Sequence, residues 1–155
     1  MALMLACATV PAADANAGEK TSSRFVSLKG DKVFLREGPS FRHRIRWVYV
    51  RDGLPVEVIA EYDVWRRVRD SDGEIGWIHR IMLSSERTVL IMGEGQAMLT
   101  ADVASDSAPA AYAEPGVVAK LETCAKTACE VSVQGIEGWI DRSRLWGVHD
   151  GEVFE

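Results

Sequence analysis

The chain has 155 residues, 47% of them apolar and 26% charged, with a formal net charge of −5. That balance describes a chain that folds, and it excludes a long disordered tract or an overall basic nucleic-acid-binding surface. The charge is unevenly divided: residues 24–87 hold 13 Lys or Arg against 10 Asp or Glu, while residues 88–155 hold 4 against 11. Such an imbalance fits either an anionic or mixed-charge ligand on the first half, or two solvated surfaces of different sign.

In chain order, Met1 to Ala8 is short and apolar, and Ala15-Asn16-Ala17 before Gly18 has the small-residue spacing of a signal cleavage site. Residues 1–17 are therefore predicted to be an export signal, making the mature protein periplasmic or secreted. No Lys or Arg precedes the apolar run, so the signal is either atypical or truncated at its start. Met4-Leu5-Ala6-Cys7 has six residues ahead of the Cys, too few for a lipoprotein leader. Nothing else approaches the roughly 18 apolar residues of a membrane span, so no stable membrane insertion is expected.

A polar linker, 18–24, is followed by alternation at Phe25-Val26-Ser27-Leu28. Strands are predicted at Val33–Arg36, Trp47–Val50, Leu54–Ala60, Trp65–Arg69 and Ile75–His79, each bounded by Gly, Pro, Asp or Ser. Asp70, Asp72 and Glu74 alternate as in a calcium loop, but no bidentate Glu closes it, and a hairpin turn is the expectation. Gly76-Trp77-Ile78 returns 62 residues later as Gly138-Trp139-Ile140, with Arg80 matched by Arg142 and Leu83 by Leu145. A strand glycine followed by a large ring points to close packing across a Gly-sized gap, which makes Trp77 a core candidate. The repeat divides the chain into units at 25–85 and 86–148 with a tail at 149–155. Many short strands and no 3.6-residue period predict an all-β chain of two small, strongly bent barrels.

The run Val33-Phe34-Leu35-Arg36-Glu37-Gly38-Pro39-Ser40, with Trp47-Val48-Tyr49-Val50, Gly53-Leu54-Pro55-Val56, Trp65-Arg66-Arg67-Val68 and Gly76-Trp77-Ile78, resembles the bacterial Src-homology-3 (SH3) domain family. The resemblance spans about Phe25 to Trp146. In that family Leu-Arg-x-Gly-Pro-Ser opens the long loop after the first core strand and Gly-Trp-Ile marks the end of the barrel; the family often has Asn where this chain has Phe34. It implies two tandem SH3-like β-barrels, the second divergent: Thr100-Ala101-Asp102-Val103 stands where the first has Arg and Gly-Pro-Ser, and Ala110-Ala111-Tyr112-Ala113 where it has the Trp47 segment.

With Cys7 removed, Cys124 and Cys129 remain around a four-residue turn, an even count that predicts a disulfide in an exported chain. The alternative, a catalytic thiolate at Cys129, has only His149 in its half as a base. His43, His79 and His149 lack ligand spacing, so neither metal nor cofactor is expected, and the chain reads as a non-enzyme. Binding is then assigned to the long loop of the first unit: Arg36, Glu37, Phe41, Arg42, His43, Arg44 and Arg46, with Trp47, Tyr49 and Trp65 beyond it. Rings among guanidinium groups suit an extended peptide or glycan-peptide strand. The resemblance implies peptidoglycan or its stem peptides as the ligand; the alternative partner is another envelope protein. Nucleic acid is not expected.

Overall fold

The computed structural model describes residues 22–104 and 106–155; the predicted export signal lies outside the described residues. The first unit contains β1 (Arg24–Leu28), β2 (Val33–Arg36), β3 (Ile45–Tyr49), β4 (Pro55–Tyr62), β5 (Trp65–Arg69), β6 (Ile75–His79), a 3-10 turn at Arg80–Met82 and β7 (Leu83–Ser84). The second repeats it as β8 (Thr88–Ile91), β9 (Ala97–Thr100), β10 (Pro109–Ala113), β11 (Val118–Cys124), β12 (Ala128–Val133), β13 (Ile136–Asp141), a 3-10 turn at Arg142–Arg144 and β14 (Leu145–Trp146). The sheet orders are β3-β2-β6-β5-β4-β1-β7 and β10-β9-β13-β12-β11-β8-β14, so every strand of one unit has its counterpart in the other.

Each sheet closes on a core of alternate strand residues. Leu28, Val33, Leu35, Val58, Val68 and Ile78 fill the first, and Val89, Ile91, Leu99, Leu121, Val131 and Ile140 the second. Both units carry a register shift at the same place, between Val58 and Ala60 in β4 and between Leu121 and Thr123 in β11. An extra residue there bends the long ribbon sharply enough to wrap a small core. Buried Glu57, inside β4, accepts from Arg69 Nε at 3.1 Å across the β4–β5 ladder.

The repeated glycine is a contact point between β6 and β2. A Cβ on Gly76 would lie 2.6 Å from Leu35 Cγ and 2.8 Å from the Arg36 carbonyl oxygen. On Gly138 it would lie 2.8 Å from Leu99 Cβ and 3.3 Å from the Thr100 oxygen. The gap is thus filled by the leucine of the neighbouring strand. Trp77 is not in the core: Gly76 and Ile78 face inward, and period-two alternation puts the half-buried Trp77 on the outer face.

Edge strand β3 also departs from expectation. Of its alternating pairs, Tyr49 alone is buried, at 7% exposure, while Trp47, Val48 and Val50 are all exposed. It pairs only with β2, and a register shift between Leu35 and Arg36 turns it off the core.

The units touch. Phe25 meets Trp146 edge-on with ring centroids 5.3 Å apart, Thr88 Oγ1 donates to the Gly53 carbonyl at 2.7 Å, and Arg51 Nη1 donates to the Gly116 carbonyl at 2.6 Å. Residues 149–155 are clamped as part of the second unit. Phe154 bridges to Cys124, Arg142 donates to the carbonyls of Ala125, His149 and Glu152, and Arg87 pairs with Glu152 at 2.7 Å. Burial works to raise the Glu152 carboxyl, but the Arg87 guanidinium and the His149 N–H more than offset it and hold the group below its ordinary value. Cys124 and Cys129 form the disulfide across the end of the β11–β12 hairpin.

Two outcomes follow for stability. Gly76→Ala is expected to destabilise by about 1–3 kcal/mol through overpacking, and Gly138→Ala by less because its nearest backbone oxygen stands farther off; urea denaturation of both variants checks the order. Reduction of the disulfide is expected to remove about 2 kcal/mol from the second unit and leave the first unit's amide protection unchanged, as read by hydrogen exchange with and without reductant.

Candidate functional site

The long loop after β2 is folded back on itself by Arg36. Its Nη1 donates to the carbonyls of His43 at 3.0 Å and Phe41 at 3.3 Å, while the Glu37 N–H donates to the Arg44 carbonyl at 3.0 Å. The imidazole of His43 sits where a side chain on residue 38 would be, since a Cβ on Gly38 would come within 2.4 Å of its Nε2. A side chain at residue 38 would displace that ring.

Closing the loop lays Phe41 over the ends of β5 and β6. Its ring meets Trp65 at 5.0 Å, nearly edge-on, and stacks with His79 at 5.6 Å and 19°; Trp65 and His79 meet at 5.2 Å and 81°. Trp65 is 5% exposed and anchors the group, whereas Phe41 is 69% exposed and offers a free face. His79 Nδ1 accepts from the Ile81 N–H at 3.3 Å, which caps the 3-10 turn and fixes the ring.

Between these rings and Phe34 runs a shallow groove of about 160 Å³, with Ile81 and Met82 at one end. Arg36 spans it, its guanidinium carbon 5.9 Å from the Phe34 centroid and 5.5 Å from that of Phe41; Lys32 Nζ lies 5.6 Å from Phe34. No carboxylate lines it among the described residues. Flat apolar faces beside two cations can hold a short apolar side chain and an adjoining anionic group.

The residues assigned to binding from sequence are divided by the fold. Arg36, Phe41 and Trp65 meet in this groove. Glu37 and Arg42 are exposed along the loop, His43 packs on Gly38, and Arg46 ties β3 to the following hairpin through Glu74 at 3.3 Å. Trp47 and Tyr49 line a separate cleft of about 510 Å³ between the units, together with Arg51, Asp72, Met92 and Pro115. Five groove residues, Lys32, Phe34, His79, Ile81 and Met82, are not among those assigned to binding from sequence. For Phe34 a signal existed: Val33 and Leu35 are inward, so Phe34 must be outward.

Tyr49 is structural within its cleft. Its hydroxyl donates to Asp70 Oδ2 at 2.8 Å, and Asp70 Oδ1 accepts from the N–H groups of Glu74 at 2.9 Å and Asp72 at 3.0 Å, building the hairpin turn. Burial first, then the Asp70 hydrogen bond and the charges of Asp70, Glu74 and Asp72, push the phenol well above its ordinary value. Among the described residues no group of three or more His, Cys, Asp or Glu is placed to hold a metal, and no helix is long and apolar enough to cross a membrane.

A family model described as "Bacterial SH3 domain" matches residues 29–85 and 97–147, one segment in each unit. No curated protein matches. Among solved structures the chain is similar to NlpC2 of Trichomonas vaginalis, at 14% identity and a TM-score of 0.37 over 81% of this chain and 48% of that one. It is also similar to NlpC1 of the same organism, at 13% and 0.37 over 83% and 47%. The chain spans about half the length of either.

Tyr49→Phe is expected to destabilise by about 1–3 kcal/mol by leaving an Asp70 oxygen unpaired. A phenol held above its ordinary 10.0 stays protonated in the folded chain where the unfolded chain ionises, so its contribution is complete below that pH and falls as pH rises above it. Chemical denaturation at pH 8 to 11 should therefore show a smaller alkaline loss in the phenylalanine variant than in the wild type.

Proposed function

This chain belongs to the bacterial SH3 domain family, and from that premise we propose that it is a non-catalytic, exported binding module that recognises peptidoglycan, through its stem peptides, in the groove of the first unit. The observation that carries this reading is the arrangement of Phe34, Phe41 and Trp65 beside Arg36 and Lys32, with no carboxylate in the lining among the described residues. Stem peptides are short chains of small apolar side chains with free carboxylates. Methyl groups fit against the ring faces, and carboxylates are drawn to the two cations. The non-catalytic reading is supported by what the histidines do: His43 packs on Gly38, His79 in the ring cluster and His149 against Phe25, and the Cys129 thiol is taken by the disulfide.

A second reading rests on the other face of the loop. Edge strand β3 and the residue after it expose Ile45, Trp47 and Val50, at 45%, 55% and 76%, a surface fit for another envelope protein.

Co-sedimentation of the chain from Gly18 onward with purified sacculi separates the two. Phe41→Ala, which removes an exposed ring and leaves the core intact, is expected to weaken saturable binding by about 10-fold, with Trp47→Ala unchanged. Absence of binding by the folded wild-type chain, or loss only in Trp47→Ala, would reject the groove as the wall site.

A further inference from the structure

The second unit keeps a groove at the same place in its sheet, with the opposite chemistry. Register makes the correspondence explicit. Arg36 pairs with Trp77 as Thr100 pairs with Trp139, and Trp65 pairs with His79 as Ala128 pairs with Asp141. Thr100 therefore stands for Arg36, Met98 for Phe34, Ala128 for Trp65 and Asp141 for His79.

A hollow of about 390 Å³ lies there, lined by Met98, Val103, Ala128, Trp139 and Asp141 among others. It is wider than the first, about 160 Å³, because alanine replaces the tryptophan that fills the floor. Among the described residues no Lys, Arg or His lines it, and the charged lining group is the Asp141 carboxylate. That carboxylate is fixed: Oδ1 accepts from the Ser143 N–H at 2.8 Å and the Ser143 hydroxyl at 2.6 Å, as the cap of the 3-10 turn. Met98 and Val103 are 42% and 45% exposed, so the apolar wall is open to a ligand. The acidic balance of residues 88–155, 4 basic against 11 acidic side chains, adds a field of the same sign.

We propose that this hollow is a second binding site, for an extended peptide that presents a lysine-type side chain. The methylene stem lies along Met98, Val103 and the Trp139 ring, and the ammonium reaches Asp141. The assignment rests on the second unit alone and is independent of what the first groove takes.

The test is an amide chemical-shift titration of the labelled chain with N-acetyl-Ala-Lys-Ala-amide, beside the same peptide with Glu for Lys. Saturable shifts at residues 98–103 and 127–141 with the lysine peptide, much weaker with the glutamate peptide, are expected. Asp141→Asn keeps a capping side chain and should weaken lysine-peptide binding by about threefold, the size of one exposed charge pair. Met98→Lys, at an exposed position, should abolish it while the spectrum of the first unit is unchanged. Equal response to both peptides, no saturable shift in this groove, or shifts confined to the cleft around Trp47 would overturn the proposal.

Discussion

The fold depends on one close approach: a strand glycine laid against the leucine of the strand it crosses. Gly76 on Leu35, and Gly138 on Leu99, let β6 and β13 reach across to β2 and β9, which brings the two ends of each ribbon together. A single Cβ at that point would hold the strands apart. Because the crossing sets Arg36 opposite Trp77, it also sets which residues of β2, β5 and β6 share an outer face. The groove is a by-product of that register: Phe34, Trp65 and His79 come together because the strands that carry them are locked at the glycine.

Much of this is legible in the sequence, and what is not has physical reasons. β2, β5 and β6 run over the predicted residues because each combines clean alternation with Gly, Pro or Asp at its ends. β8 carries no alternation that would mark it as a strand, because all four of its residues are buried. β7 and β14 have two residues each, too few to show a period. A ring following a strand glycine points to a core Trp77, but the phase set by Gly76 decides otherwise. The candidate site was half legible. Its loop residues Arg36 and Phe41 stand in a recognisable run, whereas His79 joins them only through strand pairing between β5 and β6, which no local pattern displays. Trp47 sits a few residues from Phe41 in sequence yet lines the cleft between the units.

The tandem arrangement separates what must be kept from what can vary. Core positions correspond across the units, as Leu35 with Leu99, Val68 with Val131 and Ile78 with Ile140, and even the bulge is retained. Outward positions of the same strands are free of that demand. At them the first unit carries rings and cations and the second a thioether, a hydroxyl and a carboxylate. One frame thus presents two surfaces of different chemistry, at the cost of no change in the core.

Two units of identical strand order joined end to end carry a hazard in folding, because a hairpin arm of one can enter the sheet of the other. The pair of buried Glu57 and exposed Arg69 bears on this. By register, the position of Glu57 in β4 is taken by Lys120 in β11, and that of Arg69 in β5 by Ser132 in β12. An exchange of arms would set Lys120 opposite Arg69 on one sheet and leave the buried Glu57 carboxylate opposite a serine on the other. Repulsion in one wrong barrel and an uncompensated buried charge in the other make each arm return to its own sheet, so the divergence between the repeats also serves as proofreading of chain pairing.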